Sequence, residues 1–328
     1  MADRSSLLPA KLRALVPDSG SLAPADFPGG AALVSSVAAW VLLDVDPLAS
    51  LGPALVWASR RGSASLHVIV DGDASVVARR AALFADPPSV WTVTGTSLVP
   101  AAPAAPPEHP PPSPAPELAG LLVDADLEVV VEEGIVRGEV LGLEVARIVH
   151  GTTTAGTPVD GPVLEVGVGE ADREMTALVH AGLPPVDQLA RVIEIVRRHR
   201  RPDAPRHPLN QLAAERWLRA RLVAQPDRVG LASLRPAPPA VPRPNLRDPA
   251  VAMAIGTDAE GADVVVACSV GVRLDLVPAA ADARAALSPD ARLLLVLPAR
   301  DAHPVTQALA ARLAQPAELV PVADDWRA

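Results

Sequence analysis

Two stretches of this chain are so rich in proline that neither helix nor sheet can run through them, and they fix where structure begins and ends. The first is "PAAPAAPPEHPPPSPAPE" at 100–117 and the second is "RPAPPAVPRPNLRDP" at 235–249. Proline removes the backbone donor and locks φ, so each stretch reads as an extended, semi-stiff spacer. Three segments remain, at 1–99, 118–230 and 250–328, separated by linkers at 100–117 and 231–249. A length of 328 residues agrees with two or three domains.

The outer segments share one pattern. The first runs "AAWVLLDVDP", "LASLGPALVWASRRG", "SLHVIVDGD", "ASVVARRAALFADP", "SVWTVTG"; the last runs "ADVVVACSVG", "PAAADARAALSPD", "ARLLLVLPAR", "HPVTQALAARLAQP", "ELVPV". Short continuous apolar strands alternating with helices signal parallel sheet in βαβ units. Both ends are therefore expected to be Rossmann-like α/β segments, either as two domains or as two halves of one sheet. Aromatic residues make up only 2% of the chain and Tyr is absent, so the core must rest on Val, Leu and Ala.

The middle segment reads as α+β. "LEVVVEEG" and "IVRGEVLGLEVARIV" form a hairpin, with Glu-Glu-Gly as the turn, and "PVLEVGVG" adds a third strand. Two helices follow, "PPVDQLARVIEIVRRHRR" and "PLNQLAAERWLRARLVA". In the first, Leu189, Ile193 and Val196 stand at helical spacing, with the arginines at the C-terminal end, where the helix dipole favours cations. If 135–149 is one regular strand, Glu144 shares a face with Val140, Gly142, Ala146 and Ile148, and Arg147 lies on the other. A carboxylate among apolar neighbours needs a partner, a metal or an exposed edge.

Charge is uneven along the chain. The formal net charge is −9, yet 117–180 carries 13 acidic and 3 basic residues while 181–228 carries 5 acidic and 10 basic. The basic group includes Arg197, Arg198, Arg200, Arg201, Arg216 and Arg219, with Trp217 among them. The single cysteine, Cys268, excludes an intrachain disulfide and multi-cysteine metal sites. It fits a reducing compartment, and with no secretory h-region a cytoplasmic protein is expected. The longest apolar run, 31–43, is too short to span a bilayer, so no membrane partner is expected.

In strand order and acidic placement, the block at 118–225 resembles the restriction-endonuclease-like PD-(D/E)xK family. Glu144 in "GLEVARI" matches the first acid and Glu165 in "VLEVGVG" the second. The resemblance implies two catalytic carboxylates holding Mg²⁺ or Mn²⁺, which would polarise a phosphodiester and supply hydroxide. It also implies DNA or RNA as partner, with Arg197, Arg198, Arg200, Arg201, Arg216 and Arg219 as phosphate contacts. The family's lysine position falls on Gly167, and the block has no lysine; Arg147 and Arg173 are the nearby cations. A degenerate module that binds without cutting fits that departure.

Two other readings stay open. One is a non-catalytic assembly or regulatory protein that binds a protein partner, its glutamates paired with Arg137 or Arg147. The other is a small-molecule or nucleotide-binding α/β protein that uses strand ends such as "DVDP" and "VDGD". "GVGEADREM" lacks the third glycine of a dinucleotide loop and reads as a helix start. "CSVGVR" has four residues between Cys268 and Arg273, one fewer than a phosphatase loop, so Cys268 reads as a buried strand residue. His150 and His180 flank the middle strands without metal-ligand spacing.

Overall fold

The alternation of apolar runs and helices does produce parallel strands joined by crossover helices. The computed structural model describes residues 4–17, 19–179, 183–243 and 245–327. The first hundred residues form α1 (Arg4–Leu15), β1 (Ala23–Ala25), β2 (Gly30–Val34), β3 (Ala38–Leu43), α2 (Pro47–Arg61) and β4 (Ser65–Val70). Then come α3 (Ala74–Ala81), β5 (Ser89–Thr94) and β6 (Ser97–Pro100). The middle holds α4 (Pro116–Asp124), β7 (Glu128–Glu132), β8 (Ile135–Val140), β9 (Leu143–Thr152) and β10 (Pro158–Val166). These lead into α5 (Glu170–Val179), α6 (Pro185–His199) and α7 (Ala214–Ala224). The last third holds β11 (Leu231–Ala237), β12 (Ala252–Asp258), β13 (Asp263–Cys268), α8 (Leu276–Leu287), β14 (Arg292–Pro298), α9 (Pro304–Ala310) and β15 (Glu318–Val322). Among the described residues no helix is long and apolar enough to cross a membrane.

The fold is α/β, in two compact units; one division, between Pro106 and Pro107, falls inside the first proline-rich stretch, and none falls at the second. One unit comprises Met1–Pro106, Val272–Ala285 and Ala302–Leu319; the other comprises Pro107–Gly271, Ala286–Asp301 and Val320–Ala328. The expected C-terminal segment is thus divided between the units. The two outer segments do not share a sheet: one contributes β1 to β6 and the other, with β11, contributes β11 to β15.

In the first unit the strand order is β1-β2-β3-β4-β5-β6, with β3, β4 and β5 parallel and the flanking pairs antiparallel. Helix α2 starts on the side chain of Asp46, which accepts from the Ala49 amide, and stops at Gly62 in the left-handed region. Leu12 of α1 and Val16, just past its end, bury against Leu33, Leu42 and Ile69. The distant segments of this unit are tied in by Arg79 and Arg80, which both reach the buried Asp282, and by a backbone bridge pairing Phe84 with Leu313.

The second unit holds a four-stranded antiparallel sheet, β10-β9-β8-β7, and a five-stranded sheet, β11-β12-β13-β14-β15, in which β13 and β14 run parallel. The segment 135–149 is two strands rather than one. Leu141 (φ 49°) and Gly142 (φ 75°) make a tight turn between β8 and β9, so the middle sheet has one strand more than expected. The proline boundary at 231–249 also contains a strand: β11 carries Pro236, which an edge strand tolerates. One face of the four-stranded sheet packs Val136, Val140, Leu143, Ile148 and Val166 against Leu122 of α4 and Leu189, Ile193 and Val196 of α6. The helical spacing of those last three residues is borne out.

Candidate functional site: an arginine–glutamate lattice beneath a cavity

The opposite face of the four-stranded sheet is built from charge. Residues paired across strands project to the same side. The register pairs Glu128 with Glu139, Val130 with Arg137, Arg137 with Arg147, Glu139 with Glu144, and Arg147 with Glu165. Between the Glu139–Glu144 and Gly138–Ala146 pairs, β9 holds one residue more than β8, a β-bulge. That extra residue brings Glu144 and Arg147 to one face although they are three apart. The single-strand expectation, which put Glu144 with Ala146 and Ile148, is therefore corrected by a turn and a bulge.

Helices α5 and α7 supply the remaining arginines, and a glycine permits each approach. A Cβ on Gly142 would lie 2.2 Å from the backbone carbon of Arg216, and one on Gly167 (φ 142°) would lie 2.9 Å from the Arg173 amide. Arg216 and Arg219 are one turn apart on α7. Arg216 meets Glu132 at 2.6 Å and Glu139 at 2.5 Å, and Arg219 meets Glu139 at 2.5 Å. Burial opposes ionisation of Glu139, but Arg219 and Arg216 hold its carboxyl below the usual range. Glu132, Glu139, Arg216 and Arg219 are all buried.

Glu144 and Glu165 stand in the same lattice. Arg173 reaches Glu144 at 2.9 Å and lies 3.9 Å from Glu165, so one guanidinium neighbours both candidate acids. The other oxygen of Glu144 accepts from Arg137. Glu165 accepts from the Thr154 amide, the Thr154 hydroxyl and Arg147 Nε, the last at 2.9 Å. Burial would raise the Glu165 carboxyl, but the Thr154 and Arg147 hydrogen bonds outweigh it and lower it. All four carboxylate oxygens are thus engaged and three guanidinium groups adjoin them. A divalent cation does not fit there, and among the described residues no group of three or more His, Cys, Asp or Glu could hold a metal.

The six candidate phosphate contacts divide evenly. Arg197, Arg198 and Arg201 have side chains 49%, 63% and 59% exposed, each with an acid nearby: Asp126, Glu194 and Asp203. Arg200, Arg216 and Arg219 are interior. Arg200 donates to the carbonyls of Leu141, Leu209, Leu212 and Ala213 and lies over Trp217, and burial brings its guanidinium down to about 9. The contacts of these three are with the fold itself, not with the outside.

Above the lattice lies a cavity of about 1030 Å³, lined by Glu132, Arg137, Glu144, Arg147, Arg173 and Arg216 on its floor. Its walls draw on the supposed linkers: Pro107, Glu108, His109 and Pro110 from the first, and Pro238, Pro239, Pro242, Arg243 and Asp248 from the second. Sequence reasoning missed these residues because proline runs read as spacers. Arg243 organises the second wall by donating to the carbonyls of Asn245, Leu246 and Asp248.

Elsewhere, Cys268 is fully buried at the end of β13, and burial pushes its thiol up to about 12, which leaves a protonated strand residue rather than a nucleophile. His150 is an exposed residue of β9, and His180 lies outside the described residues. No protein-family model matches this chain, and no curated protein or solved structure does either.

Proposed function

We propose that the protein is a non-catalytic assembly or regulatory protein whose second unit receives a protein partner in the cavity over the arginine–glutamate lattice. The observation that supports this reading is the engagement of Glu144 and Glu165. A carboxylate that is to hold a metal or move a proton needs an open oxygen. Here both carboxylates are bound by Arg137, Arg173, Arg147 and Thr154, which suits a rigid floor better than a reacting centre.

A second reading, a degenerate nuclease-like module that holds DNA or RNA without cutting it, draws on Arg197, Arg198 and Arg201, exposed around the C-terminal end of α6. One experiment separates the two. Labelled single- and double-stranded DNA and RNA are incubated with the protein, with and without Mn²⁺, at low and moderate salt, beside Glu144→Ala/Glu165→Ala. The partner-binding reading expects neither cleavage nor salt-dependent retention. Salt-dependent binding without cleavage gives the second reading its case. Cleavage that the double variant loses overturns both.

A further inference from the structure

The cavity has a polarity of its own. The four arginines of its floor are balanced by Glu132 and Glu144 in the lining and by Glu139 and Glu165 outside it, whereas three further lining acids, Glu108, Glu133 and Glu170, are all exposed, and Glu108 and Glu170 have no ion pair among the described residues. Among the described residues Glu133 has only Arg137, at 3.9 Å, and Arg247 is an exposed basic side chain of the same lining. The chain's net charge of −9 adds a long-range field of the same sign.

The walls point the same way. Pro107, Pro110, Pro238, Pro239 and Pro242 have no backbone N–H, so their polar atoms are all acceptors. Arginine and lysine side chains carry only donors. Arg243 already illustrates the match, held by three carbonyls of the second wall. Proline rings also give apolar surface for the methylene stems of such side chains. A volume of about 1030 Å³ stands near the top of the ~300–1,000 Å³ range of ligand pockets, enough for several side chains.

We infer that the cavity takes an extended basic segment of a protein partner, with arginine or lysine heads on Glu108, Glu133 and Glu170 and a backbone carbonyl on Arg247. This rests on the partner-binding reading above and names its chemistry. A peptide suits the site better than a polyamine because a peptide brings an acceptor for Arg247, which a polyamine lacks.

The test measures anisotropy of fluorescein-labelled nona-arginine and nona-glutamate peptides with the full chain. A rim variant, Glu108→Gln/Glu133→Gln/Glu170→Gln, is set against a control of equal charge change, Asp187→Asn/Asp227→Asn/Asp290→Asn, at exposed sites away from the lining. All substitutions are at exposed positions, and thermal unfolding verifies that each variant folds. Nona-arginine is expected to bind, with the rim variant weaker by about tenfold and the control within about twofold of the parent. Equal weakening by both variants reduces the attraction to a diffuse field and overturns the site. Tighter binding of nona-glutamate overturns the basic chemistry while leaving partner binding in place. Displacement by spermine at equal charge concentration assigns the cavity to a small polycation and overturns the peptide. If neither peptide binds and the Mn²⁺ assay shows cleavage, the partner-binding reading itself has failed.

Discussion

On one face of the four-stranded sheet Val136, Val140, Ile148 and Val166 pack against α4 and α6; on the other, Glu132, Glu139, Glu144 and Glu165 meet Arg137, Arg147, Arg173, Arg216 and Arg219. The same strands build both faces, but their tolerances differ. The apolar face holds by area removed from water, which is non-directional and degrades in proportion to the atoms lost. The charged face holds by reciprocal neutralisation, so losing one member leaves its partners buried and uncompensated.

The largest effect is therefore expected on the charged face. Arg216→Ala takes from Glu132 its nearest guanidinium and leaves Glu139 with Arg219 alone, and should lower unfolding free energy by about 3–5 kcal/mol in a urea titration. Ile148→Ala on the apolar face should cost about 2–5 kcal/mol. The contrast sharpens when several members change together. Glu132→Met/Glu139→Met/Arg216→Met/Arg219→Leu removes two glutamates and two arginines together and should come out far less destabilised than Arg216→Ala alone. A quadruple variant as unstable as the sum of its parts would show that the lattice contributes more than neutralisation.

The two faces were not equally legible in the sequence. The apolar face follows from helical spacing in α6 and from β-branched runs, and Glu133–Gly134 announce their turn. The turn at Leu141–Gly142 is hidden because apolar residues flank it on both sides, so "VLGL" reads as continuous strand. The bulge at Glu144 leaves no local mark at all, since an extra residue in one strand is defined only by its partner. Helix α7 misleads for a third reason. Arginines spaced along "AERWLRARLVA" look like a solvated face, and only the facing glutamates of β7 and β8 explain why Arg216 and Arg219 are buried. The proline walls were visible as proline, but not as walls, because composition fixes stiffness and says nothing of what an extended segment lies against.

One member of the lattice is incompletely neutralised, and pH should reveal it. Oε2 of Glu128 is buried without a hydrogen-bond partner and 3.8 Å from Arg219, and burial raises its carboxyl from 4.5 to about 7, against the pull of Arg219. Glu139 faces it from β8, and Arg216 from α7. The native state thus keeps a proton that the unfolded chain releases, so stability should fall as pH rises from 4.5 to about 7 and level off above that. The loss is of the order of 2–3 kcal/mol, somewhat less for the exposed part of the side chain. Glu128→Gln cannot ionise, so it should flatten this window and be more stable than the parent near pH ~8, the difference closing near pH ~4. Thermal unfolding across that range checks it, and an unchanged slope in the variant would place the pH dependence on another group.

The smallest expected effect separates two arginines three residues apart. Arg197, on α6, is half exposed and pairs with Asp126, whose side chain is 94% exposed. Water screens that pair, so Arg197→Ala should change stability by less than about 1 kcal/mol. Arg200, just past the end of α6, is 1% exposed, with carbonyls of Leu141, Leu209, Leu212 and Ala213 around its guanidinium and Trp217 beneath it. Removing it takes the arginine donor from the carbonyls of Leu141, Leu209 and Leu212, while that of Ala213 keeps the Trp217 amide, at a cost of about 1–3 kcal/mol for each one left unpaired that water does not reach. Urea titrations of Arg197→Ala and Arg200→Ala should therefore differ clearly, although the sequence places both residues in one basic run. Equal losses would mean that the carbonyl cage of Arg200 opens readily to water, and would remove the physical ground for dividing the cluster into surface and interior arginines.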